Sequence, residues 1–183
     1  MGRTPSRRRN RKPGKQRPSS ARRKSLRQPR AGAPPKLTAP RPTRIFPRQR
    51  LFDLLDRTRK DHRVIWVSAP GGAGKTSLAA SYLQARKLPV LWYQVDQGDG
   101  DIASFFYYMG LAAKHVAPRH KTSLPLLTPE YLADVPTFTR NFFRELYRRL
   151  PKYGVIVLDN YQDAPETSPL HDVLHIAMGE VPE

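Results

Sequence analysis

Val64-Ile65-Trp66-Val67-Ser68-Ala69-Pro70-Gly71-Gly72-Ala73-Gly74-Lys75-Thr76-Ser77 is the stretch on which the reading of the chain turns. An apolar run enters it, a glycine-rich turn fills its middle, and an Ala/Leu-rich segment with helical character leaves it. From Ala69 to Thr76 it has the spacing of a phosphate-binding loop, with Ala in the first position, where Gly is usual. Backbone N–H groups in such a turn point at phosphate oxygens, and Gly71, Gly72 and Gly74 let the chain curl closely enough. The N-terminus of the following helix, through Ser77, adds unpaired N–H groups and a favourable dipole. Lys75 supplies a mobile charge for the β- and γ-phosphates, and Thr76 a hydroxyl for Mg²⁺. Pro70 stiffens the entry. The loop makes a nucleoside triphosphate, ATP or GTP, the expected ligand.

Outward from the loop, the charge is unevenly spread. The 183-residue chain has a formal charge of +18. Residues 1–44 hold 16 of the 33 Lys/Arg, 8 of the 19 prolines and no acidic residue. The remainder carries 17 Lys/Arg against 15 Asp/Glu. The tail has few large apolar residues, so its composition predicts a disordered basic arm. Such an arm would attract nucleic acid non-specifically and with strong salt dependence. It lacks aromatic interleaving and any helix-turn-helix or zinc-finger pattern. The absence of cysteine excludes disulfides and Cys-ligated zinc. There is no secretory apolar region and no membrane-spanning run, so the expected location is the cytoplasm, without a membrane partner.

The body, 45–183, has the length of one modest α/β core. Apolar spacing predicts helices over 48–60, 75–86, 101–116 and 137–150. It predicts buried strands at Val64–Val67 and Val90–Tyr93, with an irregular connection over 118–136. Arg144, Arg148 and Arg149 are expected on an exposed helix side. Continuous apolar strands joined by helices argue for a parallel sheet covered on both faces. Gly154-Val155-Ile156-Val157-Leu158-Asp159-Asn160 reads as a further strand, buried beside that of the loop. Asp159 emerges at its carboxyl edge, where ligands bind in such sheets. Asp159 would hold Mg²⁺ opposite Thr76. Asn160 stands where many such ATPases place a carboxylate. An amide orients water but does not take its proton at neutral pH. Lys75, Asp159 and Asn160 are thus the candidate catalytic residues, and slow hydrolysis is expected unless Asp163 substitutes.

His171 and His175 are four apart, but no third metal ligand accompanies them, so a helix surface is expected. Asp96, Asp99 and Asp101 follow the second strand. Asp96 is placed to reach a nucleotide or Mg²⁺, while capping and solvation account for Asp99 and Asp101.

Several patterns together resemble the nucleotide-binding domain of the MalT-like, large ATP-binding LuxR-type transcriptional regulators, STAND-class P-loop NTPases. They are Pro35-Lys36-Leu37 with Pro40, Arg48-Gln49-Arg50-Leu51, Val67-Ser68-Ala69-Pro70-Gly71 leading to Gly74-Lys75-Thr76, Val90-Leu91-Trp92-Tyr93 with Asp96, Phe105, and Val155-Ile156-Val157-Leu158-Asp159-Asn160-Tyr161. The resemblance covers about 150 residues. It implies an α/β P-loop NTPase fold, ATP rather than GTP, Mg²⁺, slow hydrolysis and ATP-dependent self-association. It further implies that effector binding and specific DNA binding belong to later domains. The departures are Asn160 for a second Asp, Gln162 for a common His, and a chain that ends at Glu183 before the expected sensor strand, so that the domain reads as incomplete. Two other readings stay open. One is a small-molecule phosphotransferase with Arg119, Arg140 and Arg144 as lid cations. The other is a nucleic-acid-binding or interaction protein that uses the basic arm, with a decayed nucleotide fold.

Overall fold

The computed structural model describes residues 1–2, 34–41 and 47–182. The chain divides into two units, Met1–Gly32 and Ala33–Glu183. Of the first unit, Met1 and Gly2 are described, so the readings made for residues 1–44 fall largely outside the described residues.

The second unit is α/β, with five α-helices and a two-stranded parallel sheet among its described residues. A short 3-10 turn, Pro35–Leu37, is followed by α1 (Gln49–Asp61), α2 (Lys75–Ala85) and β1 (Val90–Gln94). Then come α3 (Ile102–Val116), a 3-10 segment Pro129–Asp134, α4 (Val135–Arg149), β2 (Val155–Asp159) and α5 (Leu170–Gly179). β1 pairs with β2 in parallel, with Val90 opposite Val155 and Gln94 opposite Asp159. A parallel pair needs a long crossover, and α3 and α4 supply it.

Strand alternation sends side chains to both faces. Leu91 and Tyr93, with Ile156 and Leu158, belong to a core that includes Phe105, Phe106 and Met109 of α3, Phe138, Phe142 and Leu146 of α4, and Leu170 and Val173 of α5. Val90 and Trp92, with Val155 and Val157, face a second core built from Phe52 of α1 and Ala80, Tyr82 and Leu83 of α2. The expected covering of both sheet faces is therefore present. In α3 and α4 the apolar spacing that marked the helix is the spacing that buries it, whereas in α1 Phe52 is buried and Leu54 is exposed. Asp101 starts α3 by accepting from the Ala103 and Ser104 N–H groups at 3.2 Å, and Asp134 starts α4 by accepting from Thr137 N–H at 3.0 Å.

One expected strand does not form. Val64–Val67 lies in no ladder, and Val64, Trp66 and Val67 are exposed, Trp66 by 69%. Among the described residues, residues 64–68 make no backbone–backbone hydrogen bond. An apolar run becomes a strand only when a neighbouring strand pairs with it, which the run itself does not decide. Among the described residues the sheet has two strands, β2 pairs with β1 alone, and β2 is half-buried rather than buried beside a loop strand. Trp66 instead meets Tyr161 edge-on, with ring centroids 5.3 Å apart.

The connection before α4 is more ordered than its composition predicts. Thr128 leads into the 3-10 segment, and α4 begins at Val135. Arg149 is not a solvated surface group: its side chain is 9% exposed and donates to Glu145 and, at 2.7 Å, to the Thr122 carbonyl. Arg144 donates to Glu180 at the end of α5, at 2.5 Å.

Candidate functional site

The glycine-rich loop closes as a tight turn. Ala73 N–H donates to the Pro70 carbonyl at 3.2 Å, and Gly72 and Gly74 take φ values of +76° and +82°. Those angles belong to the left-handed region that glycine enters without strain. α2 begins directly after Gly74, and its first completed turn is Leu78 N–H to Gly74 O at 2.8 Å. Among the described residues, the N–H groups of Gly71, Gly72, Gly74, Lys75, Thr76 and Ser77 donate to no backbone carbonyl. The loop and helix start together present a set of donors with a favourable dipole.

The side chains converge on that turn. Lys75 Nζ donates to the Ala69 carbonyl at 2.8 Å and to that of Pro70 at 3.3 Å. Thr76 Oγ1 donates to Asp159 Oδ1 at 2.8 Å. Asp159 ends β2, and the register with Gln94 puts it at the carboxyl edge of the sheet. The structure thus brings Thr76 and Asp159 together across 83 residues of chain.

Asn160 follows with φ 58° and ψ 32°, in the left-handed region. Asn enters that region more readily than other residues with a Cβ. Its backbone carbonyl accepts from Asp163 N–H at 2.8 Å, starting a short 3-10 turn. Asn160 therefore has a conformational reason to be there, independent of any role toward water. Asp163 is exposed.

Sequence reasoning missed three contacts. Arg48, at the start of α1, donates from Nη1 to the Ala73 carbonyl at 3.0 Å, and its guanidinium lies over Gly74 so closely that a Cβ there would meet Nη2 at 3.1 Å. α1 is held against α2 by Phe52 on Tyr82, with ring centroids 5.5 Å apart, and by Asp56 with Arg86. Second, Tyr161 hydrogen-bonds His171 Nδ1, while His171 Nε2 lies 2.9 Å from the Pro165 carbonyl. The carbonyl can only accept, so Nε2 carries the proton and the Tyr161 hydroxyl donates to Nδ1. His171 therefore anchors the turn after β2 rather than lying free on a helix surface. Burial raises the Tyr161 pKa.

The third concerns Asp96 and Asp99. Asp99 is fully buried, and both carboxylates bind Lys36 rather than facing the loop. Among the described residues, no three His, Cys, Asp or Glu side chains cluster to hold a metal ion, and no helix is long and apolar enough to cross a membrane.

Compared with known proteins, the chain matches no family model, no curated protein and no solved structure.

Proposed function

We propose that the second unit binds ATP with Mg²⁺ as a P-loop NTPase domain of the STAND type and acts as a slowly hydrolysing nucleotide switch in a transcription-regulator-like protein. The observation that carries the reading is the Thr76–Asp159 hydrogen bond at the foot of the glycine-rich turn. A hydroxyl and a carboxylate at that distance are hard oxygen donors. They suit Mg²⁺, which takes one or two protein oxygens and fills its remaining positions with phosphate and water. Bound Mg²⁺ would neutralise charge on the phosphates.

The chain's own residues divide the remaining work. Loop N–H groups of Gly71, Gly72 and Gly74 to Ser77 donate to phosphate oxygens, and Lys75 exchanges its carbonyl partners for them. Asp159 accepts from Thr76 and fixes its hydroxyl. Asn160 orients a water without deprotonating it, which keeps turnover slow. ATP over GTP, and self-association in the ATP-bound state, rest on the family resemblance.

The phosphotransferase reading is weaker. Of its three lid arginines, Arg144 is paired with Glu180 at 2.5 Å and Arg140 lies 3.9 Å from the same carboxylate, on the α4–α5 side of the unit, and Arg119 is exposed after α3. A basic-arm function rests on the composition of residues 1–44 and is compatible with the switch. Displacement of a fluorescent ATP analogue tests the proposal. ATP with Mg²⁺ should compete, and AMP should compete far less. Equal competition by both would mean that the triphosphate is not what the loop reads.

A further inference from the structure

The most complete polar cluster outside the loop surrounds a lysine. Lys36 Nζ lies 2.9 Å from Asp96 Oδ2, and 3.0 and 3.2 Å from the two oxygens of Asp99. It also stands 5.0 Å from the centre of the Tyr93 ring and 4.9 Å from that of Tyr108. Two carboxylates and two ring faces around one ammonium make a cation cage. The cage is built from rigid parts. Tyr93 is a fully buried residue of β1, and its hydroxyl donates to Asp99 Oδ1 at 2.6 Å. The Asp96 backbone N–H donates to Asp99 Oδ2 at 2.9 Å, and Tyr108 comes from α3.

The cation belongs to a segment that would otherwise be a linker. Residues 35–37 form a single 3-10 turn, with Leu37 N–H on the Pro34 carbonyl at 2.8 Å. Leu37 is buried in the core that contains Tyr93, one residue from the caged ammonium. Burial alone would lower the Lys36 pKa, but the Asp96 and Asp99 carboxylates outweigh it and hold the value above the ordinary one. The cage also stands at the carboxyl edge of the sheet. Val95 N–H donates to the Asp159 carbonyl at 2.8 Å, one residue before Asp96.

We infer that Tyr93, Tyr108, Asp96 and Asp99 form a binding site for a primary alkylammonium, filled by the chain's own Lys36, and that residues 34–38 are a latch fastened there beside the candidate nucleotide edge. The site selects for a compact ammonium. It offers two acceptor carboxylates to N–H donors, and ring faces to the charge and to the methylene next to it.

Chemical rescue in the full chain tests the assignment. Lys36→Ala leaves the buried Asp99 without its cation, and the melting temperature should fall on the order of 10 °C. n-Butylammonium should raise the melting temperature of Lys36→Ala in a dose-dependent way and leave the wild type unmoved. 1-Butanol, of similar shape without charge, should not rescue, and n-butylammonium should not rescue Lys36→Ala/Asp99→Asn. A butylammonium shift shared by the wild type, or its absence in Lys36→Ala, overturns the assignment. If Lys36→Ala does not fold, lysine acetylation of the wild type decides. Lys36 should react at least tenfold more slowly than the exposed Lys60 and Lys152, and equal rates overturn the latch.

Discussion

Thr76 Oγ1 donates a hydrogen bond of 2.8 Å to Asp159 Oδ1, joining the first turn of α2 to the end of β2. If this pair prepares the Mg²⁺ side of a nucleotide site, Asp159→Asn should weaken Mg²⁺-dependent ATP binding by roughly 10–100-fold, the usual value of charged hydrogen-bonding partners. Binding measured in EDTA should change little. A loss of equal size with and without Mg²⁺ would assign the pair to scaffolding alone.

Asn160 separates a backbone role from a chemical one. Asn160→Gly should leave stability nearly unchanged, because φ is 58° and glycine enters that region freely. Asn160→Ala should cost about 1 kcal/mol, read from urea midpoints. Asn160→Asp keeps a residue tolerant of this conformation and adds a proton acceptor. Wild-type turnover should lie below about one per second, and Asn160→Asp should raise it roughly a hundredfold. Fast wild-type turnover would remove the switch reading.

Periodicity made α1 to α4 legible nearly to their ends, because the residues it selected, such as Phe105, Phe106 and Met109, are those buried at spacings of one helical turn. Continuous apolar runs identified both paired strands, Val90–Gln94 and Val155–Asp159. The 64–67 run carries the same apolar signal but is not a strand, since ladder membership depends on a neighbour and not on the run itself. The tight turn after Pro70 and the place of Asp159 at the end of β2 were legible because glycine spacing and an apolar run ending in Asp are local patterns. Lys36, Arg48 and His171 were not, for each acquires its role from a partner distant in sequence: Asp99 across 63 residues, Ala73 across 25 and Tyr161 across 10. Asp99 read as a solvated cap because its burial is set by β1 and the 34–38 segment together. Leu37, in a stretch read as tail, is buried in the main core.

Acid should loosen the α1–α2 contact. Arg86 and then the Tyr82 hydroxyl, both hydrogen-bonded to Asp56, hold its carboxyl down to about 2, from an ordinary value of 3.8. A carboxylate depressed in the folded state stabilises above its unfolded pKa and loses that contribution as pH falls toward the folded one. The loss therefore falls between about pH 4 and pH 2. Denaturation midpoints at pH 5 and pH 3 should differ more for wild type than for Asp56→Asn. An equal difference in both would show that other carboxylates govern acid sensitivity.

Phe106 meets the rings of Phe105, Phe138, Phe142 and Phe143 in the larger core. It is fully buried, and its ring centre lies 4.9 Å from those of Phe138 and Phe142. Phe106→Ala should cost about 3–5 kcal/mol by removing apolar contact and leaving a cavity. Phe106→Leu, which retains most of the volume, should cost less. Matching losses in denaturant titrations would mean that ring packing across α3 and α4 is not what holds them together.

Titration calorimetry of the full chain with ATP and Mg²⁺, beside Lys75→Ala, tests the central claim most directly. The account predicts saturable binding by the wild type and a loss of at least about tenfold in Lys75→Ala, with both proteins folded by circular dichroism. No binding by a folded wild type, or equal binding by the two proteins, would contradict it.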